Sequence, residues 1–188
     1  MNLLKEIIER KSISAFSDKE IEKEKIDAVL EAGRLAPSCF NNQPWRYVLV
    51  GKSDYNRKNL EKALSPSNSW AKKANYLVVV GGNPKDDSSI NDVEYYLYDI
   101  GLSVMSFCLE AEHQGLRTHQ MAGWDKDKVS KAVSFSKDIK PVIVIALGVE
   151  DKNPNILSKI TAKIKEKLIR QRKRKDMSKI AFYGVYKK

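Results

Sequence analysis

Ala36-Pro37-Ser38-Cys39-Phe40-Asn41-Asn42-Gln43-Pro44-Trp45 is the stretch on which the reading of this chain turns. A helix-like pattern runs into it, and a strand-like pattern, Tyr47-Val48-Leu49-Val50, runs out. Ordinary connections are polar, with turn residues at the tip. This one sets a row of side-chain amides among apolar and aromatic groups. Amides read ring N–H and C=O groups while apolar atoms cover a ring face, so the mixture suits a flat, partly polar heterocycle. A helix stop at Pro37 followed by a core tryptophan explains the same residues. Chemistry alone leaves both readings open.

Upstream, Ser17-Asp18-Lys19-Glu20 has capping-box spacing and opens a helix with Ile26, Val29, Leu30 and Ala32-Gly33 inside. Before it, Leu4, Ile7 and Ile8 share one face of a short amphipathic helix that runs into Arg10-Lys11-Ser12-Ile13-Ser14-Ala15-Phe16. Two cations and two hydroxyls at a helix end suit a phosphate monoester. Downstream, Ser53 to Leu64 reads as a helix, and Ser65 to Trp70 as a turn-rich loop with an exposed tryptophan, followed by Ala71-Lys72-Lys73. Tyr76 to Val80 is a near-continuous apolar strand, and Asn83 to Asn91 a polar, mobile stretch suited to a lid.

Asp92 to Gln114 is apolar nearly all round, the pattern of a central, buried helix. A glycine inside a helix costs about 1 kcal/mol relative to alanine, so Gly101 implies close packing against another helix or a ligand. Gly115 ends this helix, Arg117 to Gln120 is a short strand, and Met121-Ala122-Gly123-Trp124 a turn. Asp125 to Val133 reads as a helix and Val142 to Gly148 as a buried strand. Ile156, Ile160, Ile164 and Leu168 stripe a last helix that delivers Arg170-Gln171-Arg172-Lys173-Arg174-Lys175, and the aromatic tail Phe182 to Tyr186 needs a surface to pack on. With no repeat and no convincing linker, the pattern describes one domain over 1–188, an α+β or α/β layer structure around one central sheet.

The 188 residues are 42% hydrophobic and 31% charged, a globular composition. No apolar run reaches membrane-span length, and the start lacks a signal-peptide core, so the expected setting is the cytoplasm with no membrane partner. Cys39 and Cys108 are too few for a disulfide framework. Cys39 reads as a small buried hydrophobe rather than a nucleophile, because no His or Asp stands out as its base. His113 and His119 lack metal-ligand company and read as surface or capping residues, so no metal site is expected. Neither a Rossmann glycine cradle nor a P-loop follows a strand. With no acid, base or nucleophile set in view, an enzyme built on this chain would need a cofactor for its chemistry.

The ordered set Arg10-Lys11-Ser12…Phe16, Ala36-Pro37-Ser38-x-x-Asn41-x-Gln43-Pro44-Trp45, Asp99-x-Gly101, Ala122-Gly123-Trp124 and Arg172-Lys173-Arg174 resembles the nitroreductase family of FMN-dependent oxidoreductases. The resemblance implies an α+β fold with a central mixed β-sheet flanked by helices, an intertwined homodimer, and FMN sites between the subunits. It implies that Arg10, Lys11 and Ser12 meet the FMN phosphate and ribityl chain, with Arg172 and Arg174 closing on the same phosphate. Pro37, Ser38, Cys39, Asn41 and Gln43 would come from the other subunit to line the isoalloxazine. Ala122 and Gly123 would present backbone N–H groups near flavin N5 and O4, leaving no side chain in a catalytic role. Ser14 stands where the family usually has a second Arg or Lys. It stays in the cofactor set, and Lys72 or Lys73, after Asn68 and Trp70, is expected to supply the missing cation. The stretch between Gly148 and Arg170 is longer than in compact relatives.

The implied activity is hydride transfer from NADH or NADPH through FMN to a nitroaromatic or quinone acceptor in a two-step cycle. The formal charge of +10 and the run at 170–175 motivate a competing reading, a basic module for nucleic acid or anionic surfaces. That reading leaves the amide-rich stretch unexplained, so no nucleic-acid partner is expected. A third reading stays inside the family: a specialised flavin-binding member without nitroreductase activity.

Overall fold

The computed structural model describes residues 2–153 and 174–186. The chain divides into two compact units, residues 1–152 and 153–188. In the first unit the core strands are β2 (Tyr76–Gly82) and β6 (Lys140–Gly148), which pair in antiparallel register with Val78 opposite Ile145. β1 (Trp45–Gly51) flanks β2, and β5 (Arg117–Met121) flanks β6, giving the order β1-β2-β6-β5.

Strand periodicity explains the layers. Side chains alternate between faces: Leu77, Val79, Val144 and Ala146 face one core cluster, and Val78, Val80, Ile145 and Leu147 the other. All eight are fully buried, as apolar runs covered on both faces should be. The first face is covered by α3 (Arg57–Ala63) and α5 (Lys126–Ala132), through Leu60, Ala63, Val129 and Ala132. The second is covered by α2 (Lys23–Arg34) and α4 (Tyr95–His113), through Ile26, Val29, Ile100, Val104, Phe107 and Ala111. A short α1 (Lys5–Glu9) precedes them.

Every pair in the sheet is antiparallel, where the sequence led us to expect a mixed sheet. The α4 link does carry β2 to a strand running the same way, β5, but β6 slots between the two. Among the described residues no parallel neighbours are left.

Several local expectations give way to longer-range contacts. The capping-box spacing at Ser17 does not start a helix. Ser17 N–H instead donates to the Val149 carbonyl at 2.9 Å, and Phe16 bridges Glu150, so extended pairing takes these residues and α2 begins at Lys23. The helix expected over 53–64 starts only at Arg57, because Asp54 closes a turn on the Gly51 N–H at 2.8 Å. Trp70, expected exposed, packs against the core beside Phe16 and His119. The stretch expected to be mobile, Asn83 to Asn91, runs into a hairpin, β3 (Ser89–Ile90) with β4 (Val93–Glu94), whose second strand takes residues expected to begin the long helix. Its turn residues Asn91 and Asp92 both have positive φ, 53° and 62°, the conformation a two-residue hairpin turn of this type requires.

α4 is buried on one face only. Leu97, Tyr98 and Met105 stay 43%, 59% and 40% exposed, and a side chain at Gly101 would meet nothing within 4 Å. The expected close packing at Gly101 is therefore absent among the described residues. Cys39, expected buried, is half-buried, because the turn that carries it rises from the surface; Cys108 is buried.

In the second unit, Asp176 caps a 3-10 turn, Met177–Lys179, by accepting from the Ser178 N–H at 3.0 Å, and the rings of Phe182 and Tyr186 meet edge-on at 4.8 Å. The helix expected through Ile156 to Leu168 lies outside the described residues.

Candidate functional site

The expected site residues of the first unit fall into two groups held by different neighbours. The first is the arm Arg10–Phe16. Ile13 and Phe16 are buried, and this anchoring leaves Lys11 and Ser12 exposed, with Arg10 and Ser14 half-buried. Nδ1 of His119 lies 2.7 Å from the Ile13 carbonyl, which places the ring proton on Nδ1. The His119 ring packs on Trp70 at 4.3 Å, and Trp70 stacks with Phe16 at 6.2 Å. The arm, the end of β5 and the stretch Pro66–Lys73 are thus one cluster.

The turn after β5 joins the same cluster. The Gly123 carbonyl accepts from Asn68 Nδ2 at 2.9 Å and from the Ser65 N–H at 3.0 Å. A Cβ at Gly123 would stand 2.5 Å from Ser65 Oγ and 3.2 Å from Asn68 Nδ2, so any side chain here would have to displace Ser65. Lys72 and Lys73 are exposed. The hydrogen bond from Lys52 holds the Asp18 carboxyl below its ordinary value. Beneath Lys72 and Lys73, the buried Arg57 donates to the Lys72 and Ala74 carbonyls at 3.2 and 2.9 Å, to the Val50 carbonyl at 2.8 Å and to Glu61 at 2.9 Å. A guanidinium buried this well fixes backbone rather than ligand.

Lys11 is engaged by Glu150 at 3.2 Å, and Glu150 also takes Arg117 at 3.1 Å. Burial alone would raise the Glu150 carboxyl, but hydrogen bonds from Arg117 and Lys11 hold it below its ordinary value. Burial pushes the Cys108 thiol up, opposed by hydrogen bonds from Thr118 and Gln120 and by the charge of Arg10. The Gln120 Nε2–Cys108 Sγ contact is 3.6 Å.

The second group is the turn Ser38–Gln43, on the N-terminal half of α4. Three non-glycine residues here adopt positive φ: Phe40 at 48°, Asn41 at 59° and Gln43 at 50°. Such conformations cost about 1–2 kcal/mol each and persist only where surroundings enforce them. The enforcing bonds are visible. Asp99 accepts from the Cys39 N–H at 2.7 Å, Ser38 Oγ from the Gln43 N–H at 3.0 Å, and the Asn41 carbonyl from Gln43 Nε2 at 3.0 Å. Asn42 Nδ2 donates to Asp87 at 3.0 Å, and Arg46 donates to the Gln43 carbonyl at 3.1 Å. Pro37, Phe40 and Asn41 are exposed; Ser38, Cys39 and Gln43 are half-buried.

The structure brings Asn68 to Gly123 and both to the arm, through Trp70 and His119. Arg174 belongs to the second unit, and Arg172 lies outside the described residues. A shallow groove of about 400 Å³ beside α2, lined by Asp27, Leu30, Glu31, Arg34, Trp45 and Tyr47, contains none of the expected residues. Its Arg34 is held by Glu31 through two bonds of 2.7 Å. Sequence reasoning gave no role to Asp99, Asp87 or Arg46. The available signal was Asp99 itself, a lone acid among apolar residues of a long helix, which seldom sits buried without a purpose.

Among the described residues no cluster of His, Cys, Asp or Glu is arranged for a metal ion, and no helix is long and apolar enough to cross a membrane. The nitroreductase family model matches residues 7–75. A protein of Methanothermobacter thermautotrophicus named "Putative NADH dehydrogenase/NAD(P)H nitroreductase" is 28% identical over 161 residues, covering 82% of this chain and 80% of its own. One of the same name from Archaeoglobus fulgidus is 28% identical over 149 residues, covering 77% and 83%. A crystal structure described as an oxidoreductase containing FMN shares the fold at a TM-score of 0.82 and 24% identity, over 100% of this chain and 94% of that one. A nitroreductase family protein from Clostridium difficile does so at 0.78 and 20%, over 99% and 100%. Family match, relatives and fold point the same way: over residues 7–75 and in its fold this chain is similar to proteins of the nitroreductase family.

Proposed function

We propose that this oxidoreductase is FMN-dependent, takes hydride from NADH or NADPH, and passes it to a nitroaromatic or quinone acceptor in alternating half-reactions at one site. The observation that carries the reading is the turn Ser38–Gln43. It holds three non-glycine residues in the left-handed region and displays Asn41 and the half-buried Gln43 beside an exposed ring, Phe40. Strain of this kind concentrates where a ligand must be met.

The donor set fits FMN. Arg10, Lys11 and Ser12 offer two cations and a hydroxyl at the end of α1, the chemistry a phosphate needs. Arg172 and Arg174 add to it from the C-terminal region, within one FMN-binding domain of 1–188. Ser14 serves the ribityl side, and Lys72 or Lys73, both exposed, supplies the missing cation. Asn68 holds the Gly123 carbonyl, fixing the turn whose Ala122 and Gly123 amides face the reacting edge. Pro37, Ser38, Cys39, Asn41 and Gln43 line the ring. Bound FMN supplies the redox chemistry; the protein's own task is to bind, orient and exclude water.

In this reading the turn reaches the cofactor from a second subunit of a homodimer. The exposed apolar side of α4, Leu97, Tyr98, Gly101 and Met105, and the exposed Leu4, Ile7 and Ile8 of α1 suit burial against another copy. Two free cysteines suit a reducing cytoplasm. The test is an absorbance spectrum of the purified protein, alone and with FMN, followed by acceptor-dependent oxidation of NADH and NADPH. A flavin spectrum bleached by NADH or NADPH is expected. Protein that stays colourless with added FMN and oxidises neither nucleotide overturns the proposal, and salt-sensitive DNA binding in its place would favour the basic-module reading.

A further inference from the structure

Four charged side chains alternate in sign between the core and the arm: Glu112, Arg117, Glu150 and Lys11. Glu112, near the end of α4, accepts from Arg117 Nη1, and Arg117 Nε donates to Glu150 Oε2 at 3.1 Å. Glu150 Oε1 meets Lys11 Nζ at 3.2 Å. Side-chain exposure climbs along the series, from 4% at Glu112 through 21% and 23% to 51% at Lys11. An isolated surface ion pair contributes little. Here the inner end is fixed, because a buried carboxylate needs its partner. A planar guanidinium that bonds two carboxylates through two of its nitrogens also sets the angle between them.

The backbone fixes Glu150 against the arm. Glu150 forms an antiparallel bridge with Phe16, the Ser17 N–H donates to the Val149 carbonyl at 2.9 Å, and the Asp151 N–H donates to the Ala15 carbonyl at 3.1 Å. Arg117 stands opposite Gly148 in the β5–β6 pair, so the brace enters from the strand ends beside this bridge. Burial would raise the Glu150 carboxyl, but the bonds from Arg117 and Lys11 hold it below its ordinary value, and it is ionised near neutrality.

We infer that Glu150, braced by Arg117 and Glu112, is a positioning residue that holds the Lys11 ammonium ready for the phosphate of FMN. This rests on the reading of the arm as the phosphate end of a flavin site. A lysine is a point charge on a four-carbon stem, and a ligand that captures it unplaced must also order the stem, at a cost in affinity. Glu150 orders the stem before the ligand arrives. It occupies one of the three ammonium N–H donors and leaves the others for phosphate oxygens. Arg117 draws on the same carboxylate, so ordering of Lys11 outweighs the competition between Glu150 and the phosphate.

The phosphate is the only part of FMN that this device serves. Riboflavin carries the same ring and ribityl chain without it, and so separates positioning from general support of the arm. The experiment measures the Kd of FMN and of riboflavin, by quenching of flavin fluorescence, for the unaltered protein, Lys11→Ala, Glu150→Gln and the double variant. Lys11→Ala is expected to raise the FMN Kd about tenfold, and Glu150→Gln about threefold to tenfold. The double variant should match Lys11→Ala, because Glu150 acts through Lys11. Riboflavin Kd should stay within about twofold throughout. In flavin-free protein, nitrogen relaxation of the Lys11 ammonium should report greater motion in Glu150→Gln than in the unaltered protein.

Tighter FMN binding by Glu150→Gln would make Glu150 a competitor and overturn the inference. Losses that multiply in the double variant, equal losses for riboflavin, or unchanged motion at Lys11 would overturn it as well. An unaltered protein that binds no FMN, with Lys11 still ordered by Glu150, would instead overturn the functional reading, and with it the phosphate as the ligand of this lysine.

Discussion

The arm Arg10–Phe16 and the turn Ser38–Gln43 are both short irregular segments, but they are held by opposite means. The arm is pinned by apolar side chains: Ile13 and Phe16 are 9% and 4% exposed, so its backbone cannot leave, while Lys11 reaches out to Glu150 at 3.2 Å. The turn buries no residue fully. Phe40 is 80% exposed, and the shape depends on individual bonds to Asp99, Asp87, Ser38 and Arg46. Hydrophobic anchoring is non-directional and spreads over many contacts, whereas a polar clamp concentrates on a few atoms. The arm should therefore fail through stability, and the turn through geometry.

The largest effect that separates them is a pair of phenylalanine truncations. Phe16→Ala removes a buried ring stacked on Trp70 and is expected to cost about 3–5 kcal/mol, read as a shift of the urea midpoint. Phe40→Ala should stay within about 0.5 kcal/mol. Equal losses would erase the contrast. Next comes Gly123→Ala, whose Cβ would stand 2.5 Å from Ser65 Oγ. Overpacking of this kind costs about 1–3 kcal/mol, and the displaced turn should also lose FMN. A stable Gly123→Ala protein with unchanged FMN affinity would show that this turn is not part of the site. Arg10→Ala sharpens the comparison from the ligand side. Losing one charge-assisted bond to phosphate should raise the FMN Kd about tenfold to a hundredfold with the urea midpoint unmoved. An unaltered Kd would remove Arg10 from the phosphate set.

The same contrast explains what could be read in the sequence. Apolar anchoring leaves a periodic trace, so the buried runs of β2 and β6, the inner face of α2 and the cluster-facing side of α4 were all legible. Local polar signals were not reliable. Ser17 offers capping-box spacing, yet backbone pairing with Val149 claims it instead. Residues 83–91 look structureless by composition, although Asn91-Asp92 carries a recognisable hairpin-turn signal. Asp99 was visible as an oddity in an apolar helix, but the amide it holds, the Cys39 N–H, lies 60 residues away in sequence. Their meeting depends on tertiary placement. The amide-rich turn drew notice through composition, while its positive φ values, which carry most of the argument, leave no mark that Phe40 or Gln43 would reveal.

The smallest effect concerns the foot of the arm. His113, at the end of α4, meets Glu6 of α1 at 2.9 Å, one helix turn before Arg10. The hydrogen bond His113 donates to Glu6, and after it the charge of Glu110, raise His113 above 6.5, and the same bond lowers Glu6 below 4.5. The signs give a window. The raised histidine contributes fully below 6.5 and is lost as pH rises through its raised value. The lowered carboxylate contributes above 4.5 and is lost as pH falls through its own lowered value. Urea unfolding of the unaltered protein and His113→Gln should therefore differ most between those limits and converge in alkali. Because His113 is exposed and Glu6 only half-buried, added salt should shrink the difference. A gap that persists at high pH and high salt would mean that His113 holds α1 by packing, and the foot of the arm would then be anchored in the same apolar manner as Phe16.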